Sequence, residues 1–167
     1  QDTLLTDSRV KGADGNYEVT RQYFSKCYIT GNVDFIYGAG TSYFDDCDIV
    51  ARYIEYKADG CFTAGRTYAS TDYGYVFNNC RFLAEDKVAD DSYRMARPWG
   101  KDDSTTFINC YLGRAIADTG YGDMSGNSYK NARFAEYGSY GPGYVLDNDR
   151  PLLSSTQASA YTMNNVL

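Results

Sequence analysis

One carboxylate in this sequence sits where apolar residues dominate. The stretch Gly31-Asn-Val-Asp34-Phe-Ile-Tyr37-Gly38 places a single Asp in an otherwise apolar strand bracketed by glycines. A carboxylate there costs free energy unless it is paired or functional. Further along, Arg94-Met-Ala-Arg97-Pro-Trp99-Gly100 holds the only Trp, with an Arg two positions before it. An Arg fork can hold a buried carboxylate ionised and aimed, and an indole offers a flat face to a sugar ring. A second carboxylate, Asp2, opens the chain beside Gln1. Two carboxylates in different settings can divide the work. The one beside Arg stays an anion fit for attack, and the other, in a less polar setting, keeps a proton to give away. Taken singly, each residue also has a plain structural reading: a strand-end Asp satisfied by turn amides, a solvated Arg beside a core Trp, and a frayed terminus.

Composition narrows the chemistry. The 167 residues include no His, which removes Ser-His-Asp and Cys-His catalysis and every His-ligated metal. The five cysteines form no CxxC pair, which argues against a zinc knuckle. No metal or cofactor is expected. The formal charge of −6 without a Lys/Arg run makes a poor nucleic-acid binder and leaves no polybasic membrane patch. No apolar run is long enough to span a membrane, and no signal peptide is present in the sequence given. A monomer is expected.

The elements that must position these residues announce themselves by repetition. Phe24-Ser-Lys-Cys27-Tyr-Ile29, Phe44-Asp-Asp-Cys47-Asp-Ile49, Phe77-Asn-Asn-Cys80-Arg-Phe82 and Phe107-Ile-Asn-Cys110-Tyr-Leu112 share one pattern, with cysteine intervals of 20, 33 and 30. Cys and the following apolar residue at i and i+2 share one strand face. Gly, Asn and Asp between the units supply turns. Repetition at this period predicts an all-β chain, a right-handed single-stranded parallel β-helix, with the four cysteines stacked inside as small buried side chains. A disulfide between neighbouring rungs stays open. Ser154-Ser-Thr-Gln157 has capping-box spacing and predicts a short C-terminal helix over about 156–166. No Pro/Ser-rich linker divides the chain, so residues 1–167 read as one domain.

Together the motifs resemble the pectin methylesterase family. Gln1-Asp-Thr-Leu4 is similar to its QDTL motif, Gly31 to Gly38 to its G-x-VDFI-[FY]-G motif, and Arg97-Pro-Trp99 to its GRPW motif, in the same order. Asp123-Met-Ser-Gly126, Arg133-Phe-Ala-Glu-Tyr137, Gly141-Pro-Gly143 and the tail from Leu153 extend the match over essentially the whole chain. The resemblance implies a β-helix domain lacking the family's N-terminal coils, which carry a further oxyanion-stabilising Gln. Ala96 stands where the family has Gly, which could displace the site slightly. Carried over residue by residue, Asp34 is the nucleophile, Asp2 the general acid and then base, Gln1 an oxyanion donor and Arg97 the residue that holds Asp34. Trp99, Tyr37, Met124 and Tyr121 line sugar subsites. The substrate implied is methyl-esterified homogalacturonan, and the place of action is extracellular.

Two other classes stay open at this stage. Paired carboxylates also cleave glycosidic bonds. A shortened solenoid could bind pectin, or be purely structural, without turning anything over.

Overall fold

The computed structural model describes residues 1–7, 10–15, 17–146 and 149–167. Its strands, in chain order, are β1 (Leu4–Thr6), β2 (Val10–Lys11), β3 (Tyr17–Glu18), β4 (Arg21–Ser25), β5 (Tyr28–Gly31), β6 (Val33–Gly38), β7 (Thr41–Asp45), β8 (Asp48–Ala51), β9 (Gly60–Gly65), β10 (Tyr75–Asn78), β11 (Arg81–Ala84), β12 (Tyr93–Ala96), β13 (Ser104–Ile108), β14 (Tyr111–Leu112) and β15 (Arg133–Tyr137). Three parallel sheets result, ordered β1-β6-β9-β12, β4-β7-β10-β13-β15 and β5-β8-β11-β14. Sequence neighbours fall in different sheets, and each strand pairs with its counterpart one coil away. That is a parallel β-solenoid. Among the described strands, only β2 and β3 pair antiparallel.

The repeated motif is the corner between two of these sheets. Its Phe is the next-to-last residue of a strand of the five-stranded sheet, and its last apolar residue lies in the next strand of the β5-β8-β11-β14 sheet. Between them, the residue just before each cysteine is left-handed: Lys26, Asp46, Asn79 and Asn109 all have φ between 52° and 54°. Asn and Asp tolerate that conformation better than most residues. The aromatic rungs then fall in register, with Phe24 and Phe44 centroids 4.7 Å apart, Phe44 and Phe77 4.5 Å, and Phe77 and Phe107 5.4 Å, the rings nearly parallel. The thiols repeat one contact: Cys47, Cys80 and Cys110 each lie 3.4 Å from the carbonyl oxygen of the Phe one coil earlier. All five cysteines are free, and all but Cys27 are buried.

The aromatic ladder does not run to the end. The partner of Phe107 in β15 is Glu136, fully buried. Arg150 neutralises it, with Nε and Nη2 donating to its two carboxylate oxygens at 2.9 and 2.8 Å, and the Tyr121 hydroxyl donates to Oε1 at 3.0 Å. A buried carboxylate is tolerated when it is paired and hydrogen-bonded in this way.

The tail departs from the expected single helix. The Ser154/Gln157 capping box forms, but it opens a single turn, α1 (Ser155–Ala158), and Thr162 starts a second, α2 (Met163–Val166). The break lets Tyr161 turn in. Its ring meets Tyr73 edge-on at 5.5 Å, and Val166 joins Tyr43, Val76 and Ile108 on the outer face of the five-stranded sheet. Burying that face outweighs continuing a short helix. Among the described residues, no helix is long and apolar enough to cross a membrane.

Candidate active site

Asp34 owes its position to a backbone irregularity. The pairing of β6 with β9 slips between Val33 and Ile36, and Asp34 sits in that bulge with φ at 52°. Bulges re-aim side chains, and a non-glycine residue held left-handed stores strain of the kind found at working sites. The Asp34 side chain is only 4% exposed. Gly38 closes the strand at φ 124°, its Cα pressed against the Thr6 backbone, so no side chain fits there.

Arg97 follows β12 and meets Asp34 fork to fork, Nε to Oδ1 at 2.7 Å and Nη2 to Oδ2 at 2.6 Å. Its own amide donates to the Thr63 carbonyl at 3.1 Å. This bidentate geometry fixes the direction of the Asp34 carboxylate. Ala96 is fully buried in register with Thr63, and its methyl leaves the Arg97 contact intact.

A cavity of about 200 Å³ opens above Asp34, lined by Gln1, Asp2, Tyr37, Ala64, Trp99 and Met124. Seven residues of one cavity thus include the two expected carboxylates, the expected amide and three expected subsite residues. Asp2 arrives by pairing: its amide donates to the Val33 carbonyl and that of Thr3 to Phe35, both at 3.1 Å, which carries the β1 ladder across the bulge. Asp2 is exposed, so the less polar setting expected for it is not what the structure has. Trp99 stands 6.4 Å from the Tyr37 ring.

Tyr121 lies elsewhere. It is 1% exposed, stacked on Phe134 at 5.0 Å, with its hydroxyl spent on Glu136. The expected sugar contact is replaced by a core role.

Two supports escaped the sequence reading. The Arg66 guanidinium lies 4.5 Å from the Trp99 ring centre. Asn127 closes a tight hairpin on Met124 through Ser125 and Gly126, both left-handed at φ 54° and 80°, and its amide donates to the Pro98 and Trp99 carbonyls at 3.2 and 3.0 Å. The Ser-Gly pair is a turn signal that could have located this hairpin. Nothing in the sequence announces Arg66.

Residues 6–167 match a family model described as Pectinesterase. The chain belongs to the pectinesterase family. Pectinesterase A of Dickeya chrysanthemi is 36% identical over 166 positions, covering 81% of this chain and 44% of the relative. Pectinesterase 2 of Citrus sinensis is 30% identical and covers 100% of this chain and 33% of its own length. Among solved structures, pectin methylesterase PemA from Erwinia chrysanthemi superposes with a TM-score of 0.81 at 34% identity, over 89% of this chain and 51% of that one. The carrot pectin methylesterase gives 0.78 at 28% identity, over 90% and 51%. The chain therefore spans about half the length of these solved pectinesterases, and less of the curated ones.

Proposed function

We propose that this chain carries a centre that removes methyl esters from galacturonate units of pectin through a carboxylate nucleophile. The observation that supports it best is the Asp34–Arg97 fork opening into one cavity with Asp2, Gln1 and Trp99. The pectinesterase family membership agrees with it, as does a solved pectin methylesterase in complex with a hexasaccharide, 33% identical to this chain.

The reaction runs in two halves. An Asp34 oxygen attacks the C6 ester carbonyl, and the carbonyl pair moves onto oxygen. The Gln1 side-chain amide donates to that oxyanion, a contact typically worth ~3 kcal/mol at the transition state. Collapse breaks the bond to methoxide, Asp2 hands it a proton, and methanol leaves an acyl-Asp34 anhydride. Asp2, now a carboxylate, takes a proton from water as the water adds to the sugar acyl carbon. The bond to Asp34 breaks, Asp34 returns as a carboxylate with Asp2 reprotonated, and the product acid gives its remaining proton to solvent to leave as galacturonate. Arg97 holds Asp34 as an anion before attack and as a leaving group after it. Trp99, Tyr37 and Met124 form the wall against which the sugar rests. Residues 1–167 act as one domain, as a monomer, and the wall polymer it acts on sets the place of action outside the cell.

The test is methanol release from highly methylated pectin by this chain beside Asp34→Asn, both verified as β-rich by circular dichroism. Release that disappears in the variant is expected. Equal release from both overturns the nucleophile assignment, and pectin binding without any release favours a sugar-binding solenoid.

A further inference from the structure

Trp99 stands in the wall of the cavity above Asp34, and it is placed from behind. The turn that carries it is laced to the end of β9. Arg97 and Gly100 donate their amides to the Thr63 and Gly65 carbonyls at 3.1 and 3.0 Å, and the Asp103 amide closes the turn on the Gly100 carbonyl at 3.1 Å. Just past β9, Arg66 sets its guanidinium 4.5 Å from the indole centre.

The residues on either side of Arg66 are both held by one carboxyl group. Asp103 is fully buried. Its Oδ1 presses on Gly65, where an added Cβ would collide with it, and accepts from the Thr67 hydroxyl at 3.4 Å. Thr67 Oγ1 in turn accepts the Ser104 amide at 3.2 Å, which ties the clamp to β13. Asp103 Oδ2 has no hydrogen-bond partner. The charged and titratable groups around it are Arg133 at the start of β15 and Tyr75 of β10. The Arg133 guanidinium is engaged with the carbonyls of Tyr68, Thr71, Asp72 and Asp102. Lys101 and Asp102, beside Asp103 in sequence, pair with each other at 3.1 Å. Burial pushes the Asp103 carboxyl up to about 7, while the Thr67 hydroxyl, the amides of Gly65 and Ser104 and the charge on Arg133 pull it down.

A carboxylic acid fits this place and a carboxylate does not. Ionised, Oδ2 would carry charge with neither water nor a donor against it. The segment from Gly65 to Thr67 must then open to water or turn a cation inward, and Arg66 is the cation it carries. We propose that Asp103 is a positioning residue for the Trp99 wall, holding Arg66 against the indole only while its carboxyl keeps a proton. The kinetic side of this proposal rests on the esterase reading, and the optical side does not.

Trp99 is the only Trp in the chain, so its emission reports this wall alone. The chain has no His, so no imidazole titrates near neutral pH. Emission is followed from pH 5 to 8 in the unsubstituted chain, in Asp103→Asn, which keeps the shape and cannot ionise, and in Arg66→Met. A red shift centred near neutral pH is expected in the unsubstituted chain and in neither variant. Over the same range KM for methylated pectin should rise about threefold, the size of one exposed cation–π contact, and Asp103→Asn should abolish the rise. Constant emission in the unsubstituted chain, or a shift that persists in Asp103→Asn, overturns the proposal. If Asp103→Asn does not fold, Thr67→Val serves: it removes a donor to the carboxylate and must move the midpoint to higher pH, and an unmoved midpoint overturns the proposal. Methanol release without the emission shift sinks only the Asp103 assignment. The shift without methanol release upholds that assignment while sinking the esterase reading.

Discussion

The guanidinium of Arg97 spans strand β9 to reach Asp34 on β6, two strands away in the sheet. The Asp34 side chain is almost wholly buried, whereas the Arg97 side chain is 31% exposed. The pair is therefore asymmetric, and its two halves have different consequences when removed.

Asp34→Asn leaves a partly solvated Arg and a neutral amide in the bulge, so stability changes little while methanol release falls about a thousandfold or more. Arg97→Ala strands a buried anion and lowers stability by roughly 3 kcal/mol, the low end for broken buried pairs because water reaches this one. Arg97→Lys keeps the charge, loses the fork, and falls between them in activity. Urea unfolding and methanol assays on the same three preparations check the order.

Asp103 gives the fold a pH dependence. It is fully buried beside Gly65 and Thr67, its Oδ2 has no hydrogen-bond partner, and burial pushes its carboxyl up to about 7 against the pull of nearby Arg133. The folded state thus holds the proton more tightly than the unfolded chain does. Its stabilising effect is complete below the ordinary Asp value, declines as pH rises from about 4 to about 7, and is gone above that. The full change is on the order of 4 kcal/mol. Asp103→Asn flattens this decline, which thermal melts between pH 4 and 8 would show. A slope identical to that of the unsubstituted chain refutes the assignment.

Of the four corner residues, Lys26 alone has a side chain poorly suited to the left-handed conformation it adopts at φ 54°. It is also exposed. Lys26→Asn relieves the mismatch and is expected to raise stability by about 0.5–1 kcal/mol, or Tm by roughly 2 °C for a chain of this size. Asn79→Lys should move Tm the other way.

The thiols differ in access. Cys27 alone is half-exposed, and burial drives the Cys110 thiol up to about 12. A thiol-reactive dye applied to the folded chain should label one site quickly and the other four only on unfolding. Rapid labelling of two or more sites in the native state would show that the ladder opens.

The repeat was legible because its corner writes nearly the same residues four times: an aromatic to stack, a thiol, and in three of the four a left-handed former just before that thiol. Asp34 and Arg97 were legible because a lone Asp among apolar residues needs a partner. Tyr121 was not, since nothing local marks whether a Tyr hydroxyl faces solvent or a buried Glu136. Glu136 itself reads as a solvent-facing charge until its register with Phe107 is known. The broken tail helix is likewise set by neighbours distant in sequence, as is the cover that Arg66 gives Trp99.

Asp2, Asp34, Ala64 and Arg97 come from or beside the four successive strands β1, β6, β9 and β12. The centre is a cross-section through the stack rather than a property of any one coil. In a solenoid each layer is steadied mainly by its neighbours. Loosening of any one of these four layers should therefore misalign the centre while most of the ladder is still assembled. Turnover would fade at a lower temperature than the far-ultraviolet signal, and the gap between the two midpoints would measure how firmly those layers are laced together.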